Sequence, residues 1–217
     1  MRSEKADEIL ARTRAAAGHP YDVTLKGITV GVVRGVYPTS ELSTLVVECL
    51  EDPKIGLMAG ERMLDYGTGV GYLAIAGAQR GAFVVATDIN AAATECARSN
   101  VARARLSDRV DVRQGPEFST LRPGEKFDVI TAGMPFEDAE VRDPLERAVY
   151  DPGFVMRRAL FEHAREHLTP SGRIFTTYSE RVQLVRPLEN FDPSYNYQIV
   201  RDRMIKGERN FVFMITP

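Results

Sequence analysis

Residues 61–90 read E-R-M-L-D-Y-G-T-G-V-G-Y-L-A-I-A-G-A-Q-R-G-A-F-V-V-A-T-D-I-N, and no other stretch limits the fold so sharply. The run Arg62 to Asp65 has the length and polarity of a buried strand. Glycines then occupy alternate positions, Gly67, Gly69 and Gly71, ahead of a small-residue helix from about Gly71 to Gln79. A second strand, Phe83 to Thr87, ends at Asp88. Glycine permits positive φ and lets a ligand approach the peptide units, while the first turn of the following helix offers unpaired N–H groups. An acid at the end of the second strand is placed to hold a ribose diol. The stretch is therefore a nucleoside-cofactor site by its chemistry.

The rest of the chain extends this unit. Arg2 to Ala17 reads as an exposed amphipathic helix with Ile9 and Leu10 its only large apolar side chains, ended by Gly18-His19-Pro20. Val23 to Leu25 and Ile28 to Val33 suggest a hairpin turning at Lys26-Gly27. A helix with Leu42, Leu45, Val46, Cys49 and Leu50 on one face is capped by Thr39 or Ser40 and closed by Asp52-Pro53. After Asp88 come a helix, Ala91 to Ala104, a strand, Val110 to Arg113, and a buried strand, Phe127 to Ala132. A polar loop covers 137–152, and a helix from about Gly153 to Leu168 stops at Thr169-Pro-Ser-Gly172. Arg173 to Tyr178, Tyr197 to Ile205 and Asn210 to Thr216 are the remaining strands, the last two joined at Lys206-Gly207-Glu208. The expected class is α/β: a doubly wound, mostly parallel seven-stranded sheet with an antiparallel C-terminal hairpin. Residues 1–36 form a helix and hairpin extension and 37–217 the main domain. Ligands of such sheets bind beyond the C-terminal strand ends, where Gly67, Asp88 and Phe136 converge.

Composition narrows the function. At 217 residues and 44% hydrophobic, the chain suits one core, and no apolar run approaches the roughly 20 residues that span a bilayer. Met1 to Ala17 lacks the uninterrupted apolar segment of a signal peptide, and Cys49 and Cys96 lie far apart without metal spacing. A reduced, cytoplasmic setting without membrane contact is expected. A net charge of −2 does not favour a protein that neutralises many phosphates, and Arg98, Arg103, Arg105, Arg109 and Arg113, the one basic concentration, read as solvated surface. His163 and His167 lie four apart on a helix without a third ligand, so no metal is expected.

The cofactor follows from spacing. The glycine pattern is G-x-G-x-G, with Tyr72 standing where a dinucleotide fingerprint wants its third glycine. Asp65, two residues before Gly67, would repel a pyrophosphate but accepts hydrogen bonds from an ammonium. That combination favours S-adenosylmethionine over NAD.

At these residues the chain resembles the class I S-adenosylmethionine-dependent methyltransferases, M-L-D-Y-G-T-G-V-G-Y-L-A-I-A matching their first motif, and the resemblance runs from Tyr37 to Pro217. It lies nearest the HemK-like and small-methyltransferase-domain branch, whose V-Y-x-P-x-E-D segment is similar to Gly35-V-Y-P-T-S-E-L-S. By that match Tyr37, Thr39 and Glu41 would close over the methionine end of the cofactor, Glu41 reading equally as a first-turn helix carboxylate. The resemblance implies a Rossmann-like methyltransferase fold and extends the cofactor set to Asp65, Gly67, Thr68, Gly69, Gly71, Asp88, Ile89, Glu117 and Gly133. Ala148-V-Y-D-P-G and Leu168-T-P-S-G-R-I-F are also similar to the region after the fourth motif of these families.

Two departures bear on the substrate. Where relatives carry an acid after the third strand, this chain has Pro116 within Gln114-Gly115-Pro116-Glu117-Phe118, which leaves Glu117, Gln114 or a backbone carbonyl to read the adenine. Where they carry N-P-P-Y or D-P-P-Y, it has Gly133-Met134-Pro135-Phe136. Phe136 keeps a stacking face and Pro135 the stiff turn, but Gly133 supplies no oxygen to a planar amide or base amine. The acidic residues Glu137, Asp138, Glu140 and Asp143 follow; Glu137 is the candidate proton acceptor and Phe136 the candidate stacking residue. Tyr150 and Tyr178 are candidates for the acceptor pocket wall. The expected reaction is methylation of a nucleophile, by preference nitrogen, on a small molecule or amino-acid-like metabolite. The alternatives are a protein glutamine or an RNA base, or a cofactor-binding domain without turnover. A homodimer is compatible with the sequence.

Overall fold

The computed structural model describes residues 4–16, 18–185 and 187–217. In chain order the elements are α1 (Glu4–Ala16), β1 (Tyr21–Leu25), β2 (Ile28–Val32), α2 (Glu41–Leu50), β3 (Arg62–Tyr66), α3 (Tyr72–Gln79), β4 (Phe83–Asp88) and α4 (Ala91–Arg103). They continue with β5 (Val110–Gln114), β6 (Phe127–Ala132), α5 (Val155–His167), β7 (Leu168–Ser179), α6 (Glu180–Val185), β8 (Asn196–Ile205) and β9 (Glu208–Thr216). Seven strands form one sheet in the order β5-β4-β3-β6-β7-β9-β8, and β9 runs opposite to the other six. This is the doubly wound sheet expected, with its reversal between β3 and β6, where the strand order changes direction.

Apolar side chains alternate between the two faces of the sheet. Met63, Val84, Val129 and Phe175 face a core shared with α2, α3 and the β1–β2 hairpin, whose Ile28, Val30 and Val32 are buried in it. Leu64, Ile130, Ile174 and Tyr178 face the other core, closed by Leu160, Phe161 and Ala164 of α5. Both hairpins turn where the sequence places them. Lys26 and Gly27 have φ of 47° and 75°, and Lys206 and Gly207 have 49° and 77°, the paired left-handed geometry that matches strand twist.

Several boundaries differ from expectation. β7 begins at Leu168, which pairs with Phe127, whereas Arg173 pairs with Val129; Thr169 to Gly172 bulge out of the ladder rather than ending it. α6 and the 3-10 turn Leu188–Asn190 were not foreseen, being too short to show a period. The first helix is half-hidden rather than exposed, with Ala6, Leu10 and Thr13 buried and Leu10 packed with Leu145 and Tyr150. Arg2, Ser3 and Ala17, the expected ends of that helix, lie outside the described residues.

Candidate active site

The residues expected at the donor end lie on the turns after β3 and β4. Asp65 is buried; its Oδ2 accepts a 2.6 Å hydrogen bond from Thr68 Oγ1, and its Oδ1 accepts one of 2.8 Å from Thr131 Oγ1 on the neighbouring β6. Burial pushes this carboxyl up to about 6, against the pull of Thr68, Thr131 and the Ala74 N–H. None of these partners is a cation. A buried carboxylate held only by neutral donors is the setting an ammonium would complete.

Asp88, the expected ribose residue, ends β4. Its Oδ2 accepts from the Gly69 N–H and its Oδ1 from the Asn90 N–H, both at 2.9 Å, which leaves each oxygen lone-pair capacity for a diol. Burial raises this carboxyl as well, opposed by the two N–H groups. Ile89 beside it is 45% exposed, an apolar face with nothing laid on it.

The three glycines serve three purposes. All have left-handed φ: 75° at Gly67, 55° at Gly69 and 83° at Gly71. At Gly69 a Cβ would meet nothing nearer than the Tyr37 carbonyl oxygen at 4.0 Å, so this residue faces ligand space. A Cβ at Gly67 would lie 2.8 Å from the Met156 methyl, and one at Gly71 3.2 Å from Ala97 of α4. Gly67 thus admits α5, and Gly71 the close packing of α3 on α4.

The segment before α2 reaches the same place. The Gly35 carbonyl accepts a 3.0 Å hydrogen bond from Asn90 Nδ2, and Tyr37 is half-buried against the α1 cluster. Thr39 Oγ1 is buried without a hydrogen-bond partner, whereas Glu41 is exposed at the first turn of α2. Beyond β5, the Gly115 N–H donates to the Asp88 carbonyl at 3.0 Å, and Glu117 follows with a left-handed φ of 41°. Phe118 turns away into the core, 5.1 Å from the Tyr66 ring and stacked on His167 at 5.2 Å; His163 meets its edge.

The residues expected at the acceptor end lie past β6. Gly133 is exposed, and a Cβ there would meet no atom within 4 Å. The Phe136 ring stands edge-on to Tyr178 at 5.9 Å. The acidic loop is largely engaged in structure. Asp138 accepts from the Gly153 N–H at 2.7 Å, and Asp143 caps the turn Pro144–Ala148 and pairs with Arg14 at 2.6 Å. Arg14 also reaches the buried Glu146 at 3.0 Å. The main chain of Glu137 is tied to Tyr150 by a bridge and accepts from the Asp151 N–H at 2.8 Å. Tyr150 packs on α1 and donates to Asp7 at 3.0 Å, so it belongs to that contact; Tyr178 stays beside Phe136.

Sequence reasoning passed over Thr131, Asn90, Arg157 and Asp151. Asn90 had a readable signal, an N-cap residue between a strand end and an alanine-rich helix, and its side chain accepts from the Ala92 N–H at 3.0 Å. Thr131 had none, because only strand pairing brings it opposite Asp65.

A family model described as methyltransferase small domain matches residues 28–192 of this chain. The chain belongs to that family. As a methyltransferase small domain, its cofactor is S-adenosylmethionine and its reaction class methyl transfer. The residues present fit that cofactor: Asp65 would meet the ammonium, the open Gly69 would admit a close backbone approach, and Asp88 and Ile89 would stand toward the diol and the base. Among relatives, the release factor glutamine methyltransferase of Rhodopirellula baltica is 35% identical over 116 residues, 52% of this chain and 39% of that one. The tRNA1(Val) (adenine(37)-N6)-methyltransferase of Porphyromonas gingivalis is 31% identical over 137 residues, 55% of this chain and 53% of its own. The methyltransferase small domain chain thus spans roughly a third to a half of such relatives. A T. thermophilus 16S rRNA N2 methyltransferase, solved with AdoMet and guanosine, shares the fold at a TM-score of 0.67 and 19% identity, over 90% of this chain and 49% of that chain.

Proposed function

We propose that this chain methylates a nitrogen on a protein, the acceptor being an amine presented by a side chain or chain terminus. The observation that carries the reading is Gly133, exposed and with room for a Cβ among the described residues, at the strand end where an oxygen would otherwise receive a planar NH₂ group. An amine has a free lone pair once deprotonated and does not need that oxygen. An exposed strand end also suits a group offered by a large partner better than a small molecule that must be enclosed. The sequence favoured a small-molecule acceptor; the relatives, named for a release factor glutamine and a tRNA adenine, support a macromolecule instead.

Protein is preferred to RNA because four of the five arginines in that concentration are already engaged, Arg105 being exposed. Arg103 pairs with Asp22 at 2.8 Å, Arg113 with Glu125 at 2.7 Å and Asp111 at 2.8 Å, Arg98 with Glu95, and Arg109 donates to the Gly81 carbonyl. The three charges paired with carboxylates, on Arg98, Arg103 and Arg113, contribute less to phosphate binding. The RNA-base reading retains one observation, the half-buried Phe136 ring edged by Tyr178 at a strand end, where it offers a face for stacking.

In this reading Asp65 and Asp88 anchor the two ends of S-adenosylmethionine, with Tyr37, Thr39 and Glu41 toward its methionine end and Glu117 toward its adenine. Gly67, Thr68, Gly69, Gly71 and Gly133 shape the loop floor. The bound cofactor supplies an electrophilic methyl group on a sulfonium that is its own leaving group. Phe136 aligns the acceptor, and the Glu137 carboxylate takes the proton that the nitrogen loses. Incubation with methyl-labelled cofactor and separated protein, RNA and small-molecule fractions of a cell extract tests this: label is expected in protein, and label confined to either other fraction overturns it.

A further inference from the structure

The first turn of α5 touches the donor loop and the acceptor loop at once. Met156 places its methyl against Gly67, and its carbonyl accepts a 3.1 Å hydrogen bond from Tyr66 Oη, the residue just before that glycine. The next residue, Arg157, is fully buried, and its Nη2 donates a 2.5 Å hydrogen bond to the Pro135 carbonyl, one residue before Phe136. Its guanidinium lies 4.7 Å from the centre of the Tyr178 ring, the ring that edges Phe136. Phe154 and Phe191 face the same guanidinium at 5.6 and 5.4 Å.

Considerable structure is spent on holding this turn in place. Asp151 accepts from both the Met156 and Arg157 N–H groups, at 3.0 and 3.1 Å. To bring Asp151 into that position, Gly153 and Phe154 both adopt left-handed φ, 61° and 55°. For a bulky side chain such as Phe154 this conformation is strained, and it persists only where the surroundings over-determine it. Asp138 on the Gly153 N–H and the Glu137 carbonyl on the Asp151 N–H then stitch the acceptor loop to the same segment.

We propose that Arg157 is a positioning residue for methyl transfer: from the turn that packs on the donor loop, its planar guanidinium fixes the Pro135 carbonyl and the Tyr178 ring, and through them the Phe136 face. This rests on the reading of 133–137 as the acceptor face. A planar donor fork under an aromatic ring sets both a backbone oxygen and a ring orientation, which a lysine ammonium cannot do from the same stem. Displacements of about 1 Å in such a wall are enough to lower transfer by about a hundredfold.

The test compares the whole protein with Arg157→Lys, which keeps the buried charge, and Arg157→Met, which keeps the bulk. Three quantities are read: hydrogen exchange of the 133–138 peptide, S-adenosylhomocysteine affinity by calorimetry, and label transfer at saturating acceptor from the extract fraction that the wild type labels. Expected in Arg157→Lys are faster exchange at 133–138, unchanged exchange at 62–80, cofactor affinity within about twofold, and a kcat lower by about tenfold or more. Arg157→Met lowers kcat further. Unchanged exchange at 133–138 overturns the proposal whatever the acceptor proves to be, and so does altered exchange with unchanged kcat. Loss of cofactor affinity in step with kcat overturns it too, since that marks general disruption. Wild-type label in RNA rather than protein overturns the protein-amine reading alone and leaves the exchange result to judge Arg157.

Discussion

Thr131 Oγ1 on β6 donates a 2.8 Å hydrogen bond to Asp65 Oδ1 on β3, so the two strands that flank the reversal of the sheet share one buried carboxylate. Burial holds that carboxyl up at about 6, and the neighbouring Asp88 charge adds to the rise. A cationic ammonium binds the ionised form. Affinity for S-adenosylhomocysteine should therefore be lost as pH falls through about 6 and level off above about 7. Thr131→Val removes one donor to the ionised form, raises the carboxyl further and moves this profile to higher pH. Calorimetry from pH 5 to 8 checks both; a flat profile contradicts a role for Asp65 at the ammonium.

The same shift has a consequence for the unliganded fold. An acid whose folded value lies above its unfolded one near 4 is more protonated in the native state, so the contribution of Asp65 to stability is greatest at low pH. It falls as pH rises from about 4 to about 6 and is constant above. Replacing Asp65 with Asn removes that slope; its amide oxygen accepts from one threonine hydroxyl and its NH₂ donates to the other, whose rotor turns to accept. Urea unfolding of both proteins between pH 4 and 7 should show the wild type losing stability relative to Asp65→Asn across the window.

Asp88→Ala removes the acceptor of two loop N–H groups as well as the proposed ribose contact. At about 1.5 kcal/mol or more for each charge-assisted bond to the ligand, cofactor affinity should fall by about a hundredfold or more. Gly69→Val acts differently, by forcing a β-branched side chain into φ of 55° within ligand space. Calorimetry with S-adenosylhomocysteine checks both variants, and near-native binding in the pair would remove the site assignment.

How much of this was readable in advance depends on the range of the interactions. The strands, the two hairpin turns and the glycine loop were legible because their signals are local: alternation, Lys-Gly dipeptides, an acid at a strand end. The division of labour among the glycines was not, because Gly67 and Gly71 answer to Met156 and Ala97, far away in the chain. The acidic run after Phe136 was visible as a cluster, but its partners, Arg14 in α1 and the Gly153 N–H, are set by tertiary folding. Arg157 carries no local signal at all; its burial follows from the rings that surround it.

Helix α1 packs on the 137–152 loop through Leu10, which is fully buried against Leu145 and Tyr150. Leu10→Ala should lower stability by about 2–4 kcal/mol if the cluster unfolds together with the domain. A second, lower-temperature transition in calorimetry, with the main one unmoved, would instead show that α1 comes away separately.

Gly133→Asn supplies the missing oxygen at a position with room for it. Under the amine reading this variant gains no activity toward the protein acceptor of the wild type. A gain toward glutamine-containing peptides would show the amide specificity that Gly133 lacks.

The most direct measurement is transfer itself. Wild type and Asp88→Ala are incubated with methyl-labelled S-adenosylmethionine and the protein, RNA and small-molecule fractions of a cell extract. The account predicts label in protein with the wild type and none with Asp88→Ala. Label only in the RNA or small-molecule fraction, or equal labelling by both proteins, would contradict it.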